Sequence, residues 1–153
     1  MTFSRRHVLA ALGAGLLAAP ARAQSRPTML IHKDPDCDCC LEWSHHVRDA
    51  GFSVTIKETS DLRAIRARRR IPLALAGCHT ADIEGYVIEG HVPAPEIIRL
   101  LAERPHALGL AVPGMPIGSP GMEISGSAPE TYAVVLFGAG QGIYARYRGT
   151  ERL

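Results

Sequence analysis

The sequence predicts a mixed α/β fold, and three observations lead to that prediction. Short apolar runs bounded by turn residues alternate with stretches whose apolar residues recur at helical spacing. A cysteine-containing loop joins the first apolar run to the first helical stretch. The alternation continues without an interdomain linker or an internal repeat, over a length that suits one domain with its own core.

The order of the predicted elements is typical of a thioredoxin-like fold: strand, helix, strand, helix, hairpin, helix. They are a strand at 29–32, a turn at 33–36, a helix at 40–50, a strand at 52–57, a helix capped by Thr59 or Ser60 that ends at Arg69, hairpin strands at 80–83 and 86–89, and a helix at 95–104. Gly51 and Pro105 are typical residues for ending the first and third helices. A Pro/Gly/Met loop at 112–123 and a second hairpin, 132–137 with 143–148, form a C-terminal addition.

The first residues have the pattern of an export signal peptide. A basic pair, Arg5 and Arg6, precedes a short apolar run and a small-residue cleavage site that ends at Ala23. The basic pair also resembles a twin-arginine signal, and we favour that export route over general secretion. The sequence therefore predicts a signal peptide at residues 1–23 and a single thioredoxin-like domain at residues 24–153.

Charge and hydropathy exclude two classes of protein. The signal peptide carries three arginines and no acidic residue, so removing it changes the net charge from +2 to −1. A nucleic-acid-binding domain would instead show a clustered basic face, so no nucleic-acid partner is expected. No stretch of the mature chain approaches the ~20 apolar residues that a membrane span needs, so no membrane span is expected in the mature protein.

The cysteines carry the strongest chemical signal: Cys37, Cys39, Cys40 and Cys78. Three of them lie within four residues, whereas a disulfide framework spreads its cysteines between distant elements. Cys37 and Cys40 form a Cys-x-x-Cys pair at a helix start, where free N–H groups and the helix dipole stabilise a thiolate. If the protein is redox-active, Cys37 is the attacking thiol and Cys40 the resolving thiol.

Cys39 and Cys78 are not needed for thiol–disulfide exchange, and they favour a metal site. Soft thiolates select Cu(I), and bridging sulfurs can share several ions within one small loop. One tetrahedral zinc ion is the alternative, although the adjacent Cys39 and Cys40 are awkward as two ligands of a single ion. A structural Cys37–Cys40 disulfide is a further interpretation for an exported protein.

Weaker metal-ligand candidates are Met115, Met122 and His79. The methionines lie in a repeated Pro-Gly-Met motif, and their thioethers are either soft ligands of Cu(I) or gap-fillers against the core. His79 follows Cys78 directly, so its side chain either joins the site or faces the other side of the strand.

The other histidines and the arginines are interpreted as structural or solvated. His46 lies about 10 Å along the helix axis from Cys39, so we interpret it as a packing residue near the site. No pattern assigns a role to His32, His91 or His106, and solvent exposure is the default expectation for them. The arginines of residues 63–70 are interpreted as a solvated face that also compensates a helix dipole.

Four motifs follow one another in a fixed order along the chain: Cys-x-Cys-Cys at 37–40, Cys-His-Thr at 78–80, Gly-Tyr-Val-Ile-Glu-Gly-His-Val-Pro at 85–93, and a Gly/Met/Pro segment at 114–122. With these motifs, the chain resembles the CopG type of small periplasmic proteins from copper-resistance loci. The resemblance runs from about residue 29 to residue 148, nearly the whole mature chain.

The resemblance implies a thioredoxin-like fold, copper bound by the cysteines, and a role in periplasmic copper handling or Cu(I)/Cu(II) interconversion. It maps the ligand role onto Cys37, Cys39, Cys40 and Cys78. The family usually has glycine where this chain has Asp38, whose side chain restricts the turn of the loop or adds a carboxylate near the metal.

We therefore expect a periplasmic protein that holds Cu(I) as a multinuclear thiolate cluster and limits copper toxicity by sequestration, transfer or redox cycling. The expected partners are copper ions and other periplasmic copper-handling proteins. The alternatives are a thiol-disulfide oxidoreductase that uses Cys37 and Cys40, and a zinc-stabilised interaction module. The family resemblance also leads us to expect Met115 or Met122 to approach the cysteines.

Overall fold

The computed structural model describes residues 26–153, so the predicted signal peptide at residues 1–23 lies outside the described part. Within it, strands and helices alternate before a strand-rich C-terminal part. In chain order the elements are β1 (Arg26–Lys33), α1 (Asp38–Asp49), β2 (Phe52–Glu58), α2 (Leu62–Arg68), a 3₁₀ turn (Leu73–Leu75), β3 (His79–Ile83), β4 (Tyr86–Glu89), α3 (Ala94–Glu103), β5 (Gly109–Ala111), β6 (Thr131–Phe137), β7 (Gly142–Arg148) and β8 (Glu151–Arg152). No helix of residues 26–153 has the length and apolar character that a bilayer crossing requires.

The described strands form one continuous sheet, in the order β2-β1-β3-β4-β5-β6-β7-β8. Two neighbouring pairs, β1 with β2 and β4 with β5, are parallel, and the remaining pairs are antiparallel. The helices α1 and α3 make the two parallel connections, as parallel strands require. The mixed α/β class of the prediction is confirmed, and the second hairpin extends the same sheet.

The sheet has a helical layer on each face. On one face, Trp43 of α1 and Leu100 of α3 share the main core with inward residues of the strands, such as Ile88. Because successive strand residues point to opposite faces, Val87 belongs to a smaller cluster on the other face. The helix α2 lies on that second face, where Arg66 reaches β4 and the C-cap residue Arg69 reaches β3.

The pairing of β1 with β3 places the two cysteine-bearing segments side by side. Lys33, the last residue of β1, lies opposite His79, the first residue of β3. Cys78 therefore stands beside the loop that leads from β1 to Cys37.

Three details differ from the predicted elements. Asp61 caps α2, because its Oδ1 accepts a hydrogen bond from the N–H of Ala64 at 2.9 Å. The hydroxyl of Thr59 instead accepts from the N–H of Asp61, so the predicted cap at Thr59 or Ser60 is wrong. The short strands β5 and β8 were not predicted, and β5 joins the second hairpin to the rest of the sheet.

Candidate metal centre

Three cysteines occupy the start of α1. Cys37 is the N-cap residue, and Cys39 and Cys40 lie in the first helical turn. The side chain of Cys40 is buried on the same face as Trp43, whereas Cys37 and Cys39 are half-buried. The start of α1 therefore places one sulfur against the core and two near the surface. All three lie where the helix dipole favours negative charge.

A buried lysine holds the loop that precedes these cysteines. The ammonium group of Lys33 donates hydrogen bonds to the carbonyls of Asp34 at 2.7 Å and Pro35 at 2.9 Å. The N–H of Cys37 in turn donates to the carbonyl of Asp34 at 3.2 Å. A charged group without partners would be costly at this depth, so these bonds both satisfy the ammonium and fix the path of the loop.

A buried ion pair fixes the backbone just before Cys78. Arg66 Nε donates to Oε1 of Glu89 at 2.7 Å, and the Glu89 side chain is fully buried. The same two side chains bond Gly77: its N–H donates to Glu89 at 2.8 Å, and its carbonyl accepts from Arg66 at 2.8 Å. The hydroxyl of Thr80 donates to the other carboxylate oxygen at 2.6 Å. The carboxylate is thus fully partnered, and the entry to β3 is clamped on both sides.

The interpretation of the arginine run as a solvated face is therefore wrong for two of its members. Arg66 forms the buried pair with Glu89, and Arg69 donates two hydrogen bonds to the carboxylate of Asp82 on β3, at 2.6 and 2.7 Å. These contacts fasten α2 to its face of the sheet. Their partners lie on strands distant in sequence, so local charge patterning gives no sign of them.

The four cysteine sulfurs form a closed ring. Cys37 and Cys40 are joined by a disulfide, while Cys39 and Cys78 are free thiols. The Sγ–Sγ distances are 3.5 Å from Cys37 to Cys39, 3.8 Å from Cys39 to Cys78, and 3.5 Å from Cys78 to Cys40. Cys40 and Cys78, which are 38 positions apart in the sequence, thus meet at one site. Their soft, convergent donors form a group able to hold a metal ion.

Cys78 is held as a neutral thiol in this arrangement. Burial raises the pKa of the Cys78 thiol above its ordinary value, and the neighbouring Cys39 raises it further. A metal ion that binds this sulfur must therefore displace a proton, so binding at Cys78 depends on pH.

Two buried histidines adjoin Cys78. The Nε2 atom of His91 lies 2.8 Å from Cys78 Sγ, and its Nδ1 lies 2.7 Å from the carbonyl oxygen of Pro120. The Nδ1 atom of His79 lies 3.4 Å from the same sulfur, and its ring packs against Trp43 in a tilted orientation, with 4.2 Å between centroids. Burial lowers the pKa of both imidazoles, so both are neutral at pH 7.

The expectation for the histidines is therefore corrected at two positions. His91 is fully buried beside the cysteines, and His32 is partly buried, with its Nε2 atom 3.7 Å from a carboxylate oxygen of Asp82. His106 is exposed, as predicted. His46 has a packing role, because its Nε2 accepts a hydrogen bond at 3.0 Å from the N–H of Ala94, at the start of α3.

The Pro-Gly-Met loop crosses both cysteine-bearing segments. At one end, the N–H of Gly114 donates to the carbonyl of Ala76 at 3.0 Å. At the other end, Gly121 packs so closely on α1 that a Cβ atom there would lie 2.8 Å from the carbonyl oxygen of Cys39. Met122 is half-buried, and Met115 is 53% exposed, so Met115 does not fill a gap in the core.

Two solved structures resemble this chain in both fold and sequence. One is named "Copper resistance protein copG- Form 1"; it gives a TM-score of 0.75 at 39% identity, over 81% of this chain and 99% of that chain. The second, "Copper resistance protein copG- Form 2", gives a TM-score of 0.74 at 39% identity, over 78% of this chain and 97% of that chain. The chain belongs to the CopG family. The family resemblance predicted from the four sequence motifs is thereby confirmed.

A family profile described as "Protein of unknown function, DUF411" matches residues 75–122. This segment of the CopG-family chain contains Cys78, both histidines beside it and the Pro-Gly-Met loop, but begins after the Cys-x-Cys-Cys motif. Curated proteins give no significant match. The CopG relatives and a cysteine cluster able to hold a metal together fit a role in copper resistance.

Proposed function

We propose that this CopG-family protein binds Cu(I) through the thiolates of Cys37, Cys39, Cys40 and Cys78, and limits copper toxicity by sequestration, transfer or redox cycling. The ring of four sulfurs is the observation that carries the proposal, because its unbonded neighbours lie only 3.5–3.8 Å apart. Soft sulfur donors of this kind select Cu(I). The names of the two similar structures support the same metal.

The donor set suits several ions better than one. Cys39 and Cys40 are adjacent in the chain, which makes it difficult for both sulfurs to join Cys37 and Cys78 around a single tetrahedral ion. Thiolates that bridge neighbouring ions do not meet this restriction. We therefore propose a multinuclear cluster rather than a single Cu(I) or zinc ion.

Reduction of the disulfide controls how many thiolates are available. Two electrons and two protons convert the bonded sulfurs of Cys37 and Cys40 into two thiols, and metal binding then releases thiol protons. The helix dipole at the start of α1 stabilises the thiolates of its first turn. The proposal therefore requires a reduced protein for full copper capacity.

The methionines of the Pro-Gly-Met loop are proposed as weak additional donors. Their loop bonds Ala76 at one end and packs on the first turn of α1 at the other, and this position supports a thioether contribution. Because a thioether binds Cu(I) weakly, Met115 or Met122 would shield the metal and tune its redox behaviour more than retain it.

The proposal also includes the location and the fold class. We place the mature protein in the periplasm, with residues 1–23 as its signal peptide and residues 24–153 as one domain of thioredoxin-like fold. The strand order β2-β1-β3-β4, with β1 and β2 parallel and a Cys-x-x-Cys pair at the start of α1, supports that fold class.

One observation favours a second candidate function, thiol–disulfide exchange. Cys37 and Cys40 form a disulfide at a helix start, with Cys37 partly accessible and Cys40 buried. This arrangement suits an attacking and a resolving thiol. Exchange would leave Cys39 and Cys78 without a role, whereas the copper proposal uses all four sulfurs.

An anaerobic titration of the reduced mature protein with Cu(I) tests the proposal, with zinc titrated in parallel. We expect more than one Cu(I) per chain and tighter binding of Cu(I) than of zinc. A variant with all four cysteines changed to serine is the control and should bind no Cu(I) at this site. Saturation at one Cu(I) would contradict the multinuclear cluster, and efficient disulfide exchange without Cu(I) binding would favour the second candidate.

A further inference from the structure

His91 is held in an orientation that directs one ring nitrogen at Cys78. A backbone carbonyl can only accept a hydrogen bond, so the short contact between Pro120 O and His91 Nδ1, at 2.7 Å, fixes the proton on Nδ1. The Nε2 atom of the neutral ring then carries a lone pair, and it lies 2.8 Å from Cys78 Sγ. Metal-binding histidines are oriented in this manner, with the other ring N–H bonded to a carbonyl or carboxylate.

The surroundings of His91 supply further donors. The sulfur of Cys78 and one ring nitrogen each of His79 and His91 all lie within 4.8 Å of one another. His79 is fully buried, and its Nε2 atom has no hydrogen-bond partner among the described residues. The nitrogen of His79 that contacts Cys78 Sγ is Nδ1, at 3.4 Å, so His79 offers this other ring nitrogen to the group. Cys78 also contacts Cys39, so this group adjoins the sulfur ring.

We propose that His91 is a metal ligand that acts with Cys78, so that one corner of the cysteine site binds a divalent, borderline-soft cation such as zinc or Cu(II). Imidazole nitrogen suits these ions, whereas a purely thiolate site favours Cu(I). The proposal rests on the proposed function, because Cys78 belongs to both donor sets.

The disulfide form of the protein separates the two donor sets. The bond between Cys37 and Cys40 removes two sulfurs from the ring but leaves Cys39, Cys78 and His91 available. Mixed sulfur and nitrogen donors of this kind hold zinc in tetrahedral sites. The protein can therefore retain one ion in a state in which the four-thiolate cluster cannot form.

The proposal also gives the Pro-Gly-Met loop a role that does not depend on its thioethers. The carbonyl of Pro120 sets the tautomer of His91, and Gly121, the next residue, fixes the loop against Cys39 and Trp43 by its close packing. A loop that orients a ligand in this way would be needed even if neither methionine touched the metal.

The test uses the metal-free disulfide form, with Cys39 and Cys78 verified as free thiols, titrated anaerobically with Co(II), a spectroscopic probe that does not oxidise thiols. We expect one bound Co(II) per chain, with the absorption of a tetrahedral site containing sulfur. His91→Gln should weaken this binding by more than about 10-fold, which is the smallest loss typical of disturbing a metal site. His45→Gln, at an exposed position of α1, is the matched control and should bind Co(II) normally.

A second measurement keeps the test decisive if His91→Gln folds poorly. In the wild-type disulfide form loaded with cadmium, a scalar coupling between the metal and the Nε2 atom of His91 would support the proposal. Unchanged Co(II) binding by a folded His91→Gln variant, absence of that coupling, or no divalent binding by the wild-type disulfide form would overturn it. Cu(I) binding by the reduced wild-type protein is measured separately, and its absence would overturn the proposed function instead.

Discussion

The carboxylate of Glu89 accepts a hydrogen bond from the N–H of Gly77, the residue that precedes Cys78, at 2.8 Å. Arg66 completes the arrangement by donating to both the carboxylate and the Gly77 carbonyl. A fully buried carboxylate is stable only while a counter-charge and hydrogen bonds compensate its lost hydration. The position of Cys78 therefore depends on an ion pair between α2 and β4.

Replacing Glu89 by glutamine should destabilise the protein and weaken its metal site. The change leaves Arg66 without its counter-charge, and we expect a loss of about 3 kcal/mol, at the lower end of the range for broken buried pairs because Arg66 is 17% exposed. Urea unfolding and Cu(I) affinity of the same variant measure the two effects. Glu42→Gln, at an exposed position of α1, is the control and should change neither quantity. Wild-type stability in Glu89→Gln would show that the buried pair of Arg66 and Glu89 does not stabilise the fold.

Gly121→Ala should lift the Pro-Gly-Met loop from α1. The backbone at Gly121 has φ +83°, and an added Cβ would lie 2.6 Å from the backbone nitrogen of Trp43, which cannot move aside without distorting the helix. Gly114→Ala is a matched control in the same loop, because φ there is +70° but no atom lies within 4 Å of the added Cβ. We expect Gly121→Ala to be less stable than Gly114→Ala by about 1–3 kcal/mol, the usual cost of overpacking. Equal unfolding midpoints would contradict the close approach of loop and helix.

The predictable part of this molecule is the part encoded by local patterns. Helical spacing after Cys40 and the turn at Glu84-Gly85 identify α1 and the first hairpin, because each depends on residues close in sequence. The strand β5 could not be predicted, since a run of three residues becomes a strand only through its pairing with β4 and β6. The cysteines were identified because their spacing is itself a motif.

The residues that surround the cysteines could be identified only from the structure. His91 lies two residues after the end of β4 and two residues before Pro93, which gives no local reason for burial, yet the carbonyl that orients it comes from Pro120, 29 residues away. Arg66 likewise belongs to a basic run whose local interpretation is a solvated face, while its partner Glu89 lies 23 residues away. Both contacts arise from topology, and single-sequence patterns do not register them.

Cys39→Ser should lower copper capacity without preventing the disulfide between Cys37 and Cys40. Cys39 contributes a ring sulfur that lies between Cys37 and Cys78, and thiol exchange does not require it. Cu(I) stoichiometry and a count of free thiols in the oxidised variant measure the two properties. Full copper binding together with loss of reductase activity would instead favour the oxidoreductase function.

The metal-free protein should lose stability as the pH falls. Burial lowers the pKa of His79 and His91 in the folded state, whereas in the unfolded chain histidine binds a proton near pH ~6.5. Above about pH 7 these two histidines therefore leave the free energy of unfolding unchanged. Below about pH 6.5, each fully buried histidine lowers that free energy by up to about 1.4 kcal/mol per pH unit. Urea unfolding at about pH 7 and pH 5.5 measures the slope.

The exposed His106 supplies the control for the pH prediction. His106→Gln should show the same loss of stability as the wild type, because the His106 side chain is already exposed to solvent in the folded protein. A free energy of unfolding that stays constant over this pH interval would contradict the assignment of His79 and His91 as neutral, buried groups.

Replacing Met115 and Met122 together by leucine conserves volume and removes both thioethers. If a thioether contacts the metal, the rate of air oxidation of the Cu(I)-loaded protein should change more than its copper affinity, with an affinity loss of about 10- to 100-fold at most. Unchanged values for both quantities would show that neither thioether contacts the metal and that the methionines have only a packing or surface role. The two single variants show which methionine causes an effect of the double change, the exposed Met115 or the half-buried Met122.

The central claim is that Cys37, Cys39, Cys40 and Cys78 hold several Cu(I) ions together. X-ray absorption of the reduced protein, loaded anaerobically with Cu(I), tests it most directly, because it reports both the donor atoms and any neighbouring metal. We expect a coordination shell dominated by sulfur and a short Cu–Cu distance, and we expect the Cu–Cu signal to disappear in Cys39→Ser. A spectrum with isolated copper ions, or with oxygen and nitrogen donors in place of sulfur, would contradict the account.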